Sequence, residues 1–167
     1  MAAATLVRFS LWIVMTFPIL AVLPCDLACP PASAGELKTF PAAAGFGALT
    51  PAGRHGQIIK VTNLKDSGPG SLRAAIETPG PRIVVFEVAG GILLQSPLIV
   101  QHPFLTIAGQ TAPFPGISLM GFGLQLSTHD LLIQHLFIRI TNLTAEDGIQ
   151  LKAGQEEKPV NIVIDHV

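Results

Sequence analysis

The sequence of 167 residues predicts an all-β chain wound into a solenoid of parallel coils, incomplete at its C-terminus and preceded by one short capping helix. Three observations carry this expectation. Beyond Pro81 the chain is a succession of short apolar runs cut by Gly, Pro or Asn, with no helical period. Three of these runs overlay: "PFLTIAG" (103–109), "HDLLIQH" (129–135) and "VNIVIDH" (160–166) each place an apolar, any, apolar triplet before a corner. Leu105, Leu131 and Ile162 open those triplets at spacings of 26 and 31 residues, inside the roughly 20–50-residue range of solenoid repeats. The final run, "NIVIDHV" (161–167), carries Ile162, Val163, Ile164 and Val167 and reads as the inside of a strand. The expectation is therefore the N-terminal part of a longer solenoid, ending as a truncated product.

The elements follow in chain order. Residues 1–34 read as a secretory signal peptide: Arg8, the apolar run "LWIVMTFPILAVL" and the small-x-small site Ala32 to Ala34. Pro18 breaks that run, which falls short of the roughly 20 apolar residues of a membrane span. Cleavage before Gly35 removes Cys25 and Cys29, the only cysteines, and leaves packing to hold the remainder. Residues 35–56, rich in Gly, Ala and Pro, form an irregular N-terminal arm. Residues 57–167 are the coils. They open with a strand in "QIIKVTNL" and a turn at "KDSGPG". The one helix is "SLRAAIE" (71–77), with Ser71 as N-cap, Leu72, Ala75 and Ile76 on one face, and Pro79-Gly80 as the stop.

On the overlaid register Gly109, His135 and His166 stack at one corner, each strand pairs with its counterpart in the next coil, and the helix covers the first edge. A β-sandwich would instead join its runs as hairpins through two-residue Asn-Gly or Asp-Gly loops.

Composition limits the partners. Nearly half of the residues are apolar and the formal charge is −1, which gives no broad field for nucleic acid or an anionic membrane surface. An acidic ligand would need a local site or a bound cation.

The segments "FPAAAGFGA", "VTNLKDSGPGSLRAAIE", "PRIVVFEVAGGI", "PFLTIAGQTAPFPGISLMGFGLQLSTHDLLIQHLFIRI" and "NIVIDH", in that order, closely resemble the N-terminal half of pectate lyase-like polysaccharide lyases. The resemblance implies a right-handed parallel β-helix of a secreted, monomeric enzyme. It also implies that acidic plant cell-wall polysaccharide, polygalacturonate, is cleaved by calcium-dependent β-elimination. That chemistry needs carboxylates to hold Ca²⁺, which stabilises the charge developing beside the uronate carboxylate, and a basic side chain to take the C5 proton.

"EDGIQL" (146–151) resembles the family's Asp-x-Ile-x-aliphatic strand, which makes Asp147 the expected calcium ligand and Glu146 its weaker neighbour. A plain turn before a strand is the competing reading of Asp147-Gly148. The resemblance places the catalytic arginine beyond Val167; Arg139 does not match it by position and reads as a coil-surface residue. Two departures stand out: Ile140-Thr141-Asn142 replaces the frequent Pro-Gly-Asp, and Ala42 and Ala44 stand where Gly and Glu are usual.

Asp165 is expected to fix a corner, His135 and His166 to be stacked corner residues, and the phenylalanines 40, 46, 86, 104, 114, 122 and 137 to pack core and corners. Asn142 opens an "NLT" acceptor for glycosylation. The expected function is a secreted pectate lyase, this chain alone being inactive. The alternatives are a non-catalytic extracellular β-helix module that binds acidic polysaccharide and a calcium-independent enzyme acting on methylated pectin.

Overall fold

A computed structural model describes residues 37–141, 147–153 and 158–167; the signal-peptide expectation, Glu146 and Asn142 lie outside them. Eleven strands are present among these residues: β1 (Gln57–Val61), β2 (Arg82–Phe86), β3 (Gly90–Leu93), β4 (Leu98–Val100), β5 (Leu105–Ala108), β6 (Ile117–Gly121), β7 (Leu124–Leu126), β8 (Leu131–Gln134), β9 (Leu136–Ile140), β10 (Ile149–Leu151) and β11 (Ile162–Asp165). From β2 onward every third strand returns to the same sheet, and β1 pairs directly with β2. The orders are β1-β2-β5-β8-β11, β3-β6-β9 and β4-β7-β10, all pairings parallel. The chain is thus a β-solenoid of about four turns, the right-handed parallel β-helix.

The overlaid triplets take the expected register: Leu105, Leu131 and Ile162 are paired in one column, and Ile107, Ile133 and Ile164 in the next. "LLIQHLFIRI" is two strands in two sheets, broken at His135, which adopts φ 53°. Asn, Asp and His enter that left-handed region more readily than other side chains, and His166 repeats it at φ 55° one coil later. A second corner, absent from the sequence reading, stacks Phe104, Asp130 and Asn161, all at positive φ, just before the strands of the five-stranded sheet.

Inside the coil, apolar columns close the core. Ile92 and Leu119, Leu98 and Leu124, and Val100 and Leu126 are paired neighbours with essentially no exposure. Burial fades toward the last coil of the five-stranded sheet: Ile133 is fully buried and its neighbour Ile164 is 43% exposed. A coil's inner face is covered only when coils lie on both sides of it, and β11 is the outermost described strand of its sheet.

At the other edge sits helix α1 (Leu72–Glu77). The Ser71 hydroxyl accepts from Ala74 N–H at 3.2 Å, and Leu72, Ala75 and Ile76 are buried against β1, β2 and β4. A single 3-10 turn at Gly109–Thr111 departs from the expectation of no helical structure after Pro81.

The described part of the N-terminal arm, residues 37–56, has no strand or helix and is docked. It crosses the strand starts of the five-stranded sheet: Gly53 N–H donates to Thr106 Oγ1 at 3.0 Å, and Thr50 Oγ1 donates to Asp130 Oδ1 at 2.9 Å. Ala43, Ala48 and Ala52 are buried there. All four residues of β8 are buried although strands alternate sides: outward Leu132 pairs with Thr106, the arm's acceptor, and outward Gln134 is bonded to Gln110 and Asp165.

Three phenylalanines contradict the packing expectation. Phe46 and Phe114 are essentially fully exposed and Phe137 is 55% exposed. Phe137 alternates outward from the buried Leu136 of β9, and Phe46 and Phe114 lie on loops.

Candidate functional site

Asp147 stands two residues ahead of β10, the outermost described strand of the β4-β7-β10 sheet. The local chain is fixed by parallel pairing with β7, since Leu124 N–H donates to Gly148 O at 2.9 Å. Its carboxylate is exposed, and Gln150 Nε2 donates to it at a long 3.5 Å. One carboxylate supplies at most two of the 6–8 oxygens that Ca²⁺ takes. Among the described residues Asp147 joins no group of three ligating side chains.

Arg139 lies on β9, in a different sheet, and is exposed beside Met120 and Phe137 on the wall of a groove of about 450 Å³. That placement matches a coil-surface residue.

A denser constellation lies at the corner after the five-stranded sheet. Gln110 Nε2 donates to Gln134 Oε1 at 3.3 Å, and Gln134 Nε2 donates to Asp165 Oδ2 at 3.0 Å. Asp165 Oδ1 lies 2.8 Å from His166 Nδ1. The rings of His135 and His166 stack with centroids 4.6 Å apart and planes 16° apart. The Gln134 amide first, and then His166, hold the Asp165 carboxyl below its usual range against a smaller opposing effect of desolvation. Both histidines open onto a groove of about 650 Å³ that also holds Phe114 and Phe137.

Gly109 completes the stack. A Cβ there would overlap the carbonyl oxygen of His135, so the coil above can seat only on a glycine. The corner roles expected for Gly109, His135, Asp165 and His166 are thus observed; the convergence of Asp165 on the two rings is new. Neighbouring "DH" in one copy and "QH" in another was its signal in the sequence.

At the opposite corner Asp130 is buried and receives Thr50 Oγ1, Asn161 Nδ2 at 3.3 Å and the His129 ring at 2.6 Å. His129 also meets Phe104 edge-on. This network ties the arm to three coils.

Parallel sheets stacked coil on coil, with exposed polar corners, define the class as a parallel β-helix protein. No protein-family model matches the chain. It is 40% identical over 134 residues to a probable pectate lyase C of Aspergillus flavus, covering 78% of this chain and 30% of that protein. The corresponding protein of Emericella nidulans is 40% identical over 152 residues, with 89% and 33% covered. That of Aspergillus terreus is 41% identical over 138 residues, with 81% and 31% covered.

Over most of its length the chain is therefore similar to proteins named pectate lyase C, and it spans about a third of the length of the curated relatives it matches. Among solved structures, that of Jun a 1, the major allergen from cedar pollen, is similar at 30% identity and a TM-score of 0.49, covering 57% of this chain and 29% of that one.

Proposed function

We propose that this chain is part of a secreted lyase that cleaves polygalacturonate by calcium-dependent β-elimination, with Asp147 as one calcium ligand. The observation that carries the reading is the 40% identity, over most of the chain, to proteins named pectate lyase C. The exposed carboxylate of Asp147, just ahead of a β-helix strand, supports it. An extended sugar chain can lie along a β-helix face, and the aspartate offers hard oxygen donors, the type Ca²⁺ requires.

In this reading Asp147 fixes the cation against the uronate carboxylate. The bound Ca²⁺ would supply charge stabilisation for the carbanion-like transition state. Glu146, next in the chain, is the second proposed donor. Residues 1–34 are proposed to direct export, and no helix among the described residues is long and apolar enough to cross a membrane.

The test is the release of unsaturated uronide from polygalacturonate by the native secreted protein, whose mass and C-terminal peptides are read in parallel. Expected are calcium-dependent product, abolished by chelation, and at least about a tenfold loss in Asp147→Ala, as for removal of a metal-ordering group. Equal product with chelator present would favour an enzyme of methylated pectin. Polysaccharide binding without product would favour a non-catalytic module.

A further inference from the structure

The His135, Asp165 and His166 cluster lies in other sheet positions than Asp147 and is chemically unlike a calcium site. Each of the three residues offers a ligand atom, and these atoms all lie within 4.8 Å of one another. Two imidazoles and one carboxylate form an N₂O set, which suits Zn²⁺, Co²⁺, Ni²⁺ or Cu²⁺, whereas Ca²⁺ takes oxygen alone. We propose that this corner is a binding site for a borderline divalent transition-metal ion, with His135 and His166 as nitrogen ligands and Asp165 as the third donor.

Geometry supports the assignment at each position. The two histidines occupy equivalent corners of adjacent coils, locked in register by the bond from His135 N–H to Asp165 O at 3.1 Å. Neighbouring parallel strands are about 4.8 Å apart, close to the 4.6 Å between the ring centroids. A tetrahedral zinc sphere has donor-to-donor edges of about 3.3 Å, given bonds near 2.0 Å. Both rings are exposed and now stacked, so the proposed site requires each to rotate about χ2, a soft torsion, out of the stack to aim its in-plane lone pair at one ion.

The carboxylate is already aimed. Gln134 holds one oxygen of Asp165 and is itself held by Gln110, the supporting layer that sets a ligand's orientation in metal sites. Both histidines line the groove that carries Phe114 and Phe137, which leaves the corner open to solvent ligands.

The site is tested by titrating zinc sulfate into the full chain, with Cys25 and Cys29 replaced by serine so that thiolates do not compete. Binding is read by calorimetry and, with cobalt(II) chloride, by the visible spectrum of the bound ion. One equivalent is expected, insensitive to excess calcium and weakened at least about tenfold by His135→Asn, His166→Asn and Asp165→Asn. Asparagine tolerates the left-handed backbone of both corners. His55→Asn and His102→Asn should leave binding unchanged.

If an asparagine variant fails to fold, the wild-type chain still decides. One equivalent of zinc should protect His135 and His166, but not His55 and His102, from diethylpyrocarbonate. Absent stoichiometric binding, equal modification of all four histidines, or affinity unchanged in folded His135→Asn and His166→Asn would overturn the site.

Discussion

Arg82 opens β2 with a side chain fully buried and no carboxylate beside it. Its guanidinium donates instead to four backbone carbonyls: Ile76 O at 2.6 Å, Gly80 O at 3.0 Å, Pro103 O at 3.1 Å and His102 O at 3.3 Å. It thereby joins the end of α1 to the loop between the first and second coils. Its Nε is buried without a partner, and desolvation lowers its pKa from the usual guanidinium range to about 10.

Replacing Arg82 by Met removes all four bonds and the buried charge together. Hydrogen bonds to a charged group are each worth about 1.5–3 kcal/mol. Three of the four are partly solvated, so the lower figure applies and the gross loss is about 6 kcal/mol. Relief of the charge's desolvation, seen in the pKa lowered to about 10, returns roughly 3.5 kcal/mol at about 1.4 kcal/mol per tenfold change in proton affinity. A net destabilisation of about 2.5 kcal/mol is expected, which for a chain of this size lowers Tm by roughly 5–10 °C. Urea and thermal unfolding followed by circular dichroism measure it, with Arg82→Lys falling between the two proteins. An Arg82→Met chain as stable as the parent, or more so, would refute the reasoning and make the carbonyl cage a net cost.

Gly109→Ala is expected to destabilise by roughly 1–3 kcal/mol, because the new methyl group meets the backbone of the next coil and not a movable side chain; an unchanged urea midpoint would show that the coils can separate to admit it. The acid limb of stability depends on Asp165. Its carboxyl is held below 3.8 in the folded chain, so its contribution is present above that value and lost as pH falls through the folded-state pKa. Asp165→Asn should therefore flatten the stability profile below about pH 4, and an acid limb identical to the parent's would assign the loss to other carboxylates.

The coil architecture was legible because a solenoid writes its period into the chain. The triplets at Leu105, Leu131 and Ile162 had to be apolar at the same two positions to fill the same interior column, and the observed register follows those positions residue by residue. Ser71 and the Leu72, Ala75, Ile76 face were equally local signals. The exposed Phe114 and Phe137 show the limit of such reading, since an aromatic residue at an outward position carries no mark in a sequence of alternating runs.

The candidate sites divide the same way. Asp147 was found from a motif within one strand, and the structure adds only its exposure and its sheet. The corner of His135, Asp165 and His166 is formed by residues about 30 positions apart, brought within hydrogen-bonding and stacking range by pairing between coils. Sequence periodicity placed the two histidines at one corner. Whether their rings face each other, and whether a carboxylate turns toward them, depends on φ at each corner and on the Gln110–Gln134 support.

What the sequence determined alone was the repeat, its inward apolar columns and its short helical cap, because each follows from local pattern. Docking of the arm onto Thr106 and Asp130, the buried Arg82 and the convergence of ligating groups were decided only by the tertiary structure. Each of these joins polar atoms from segments distant in the chain, and such pairings leave no periodic trace in it.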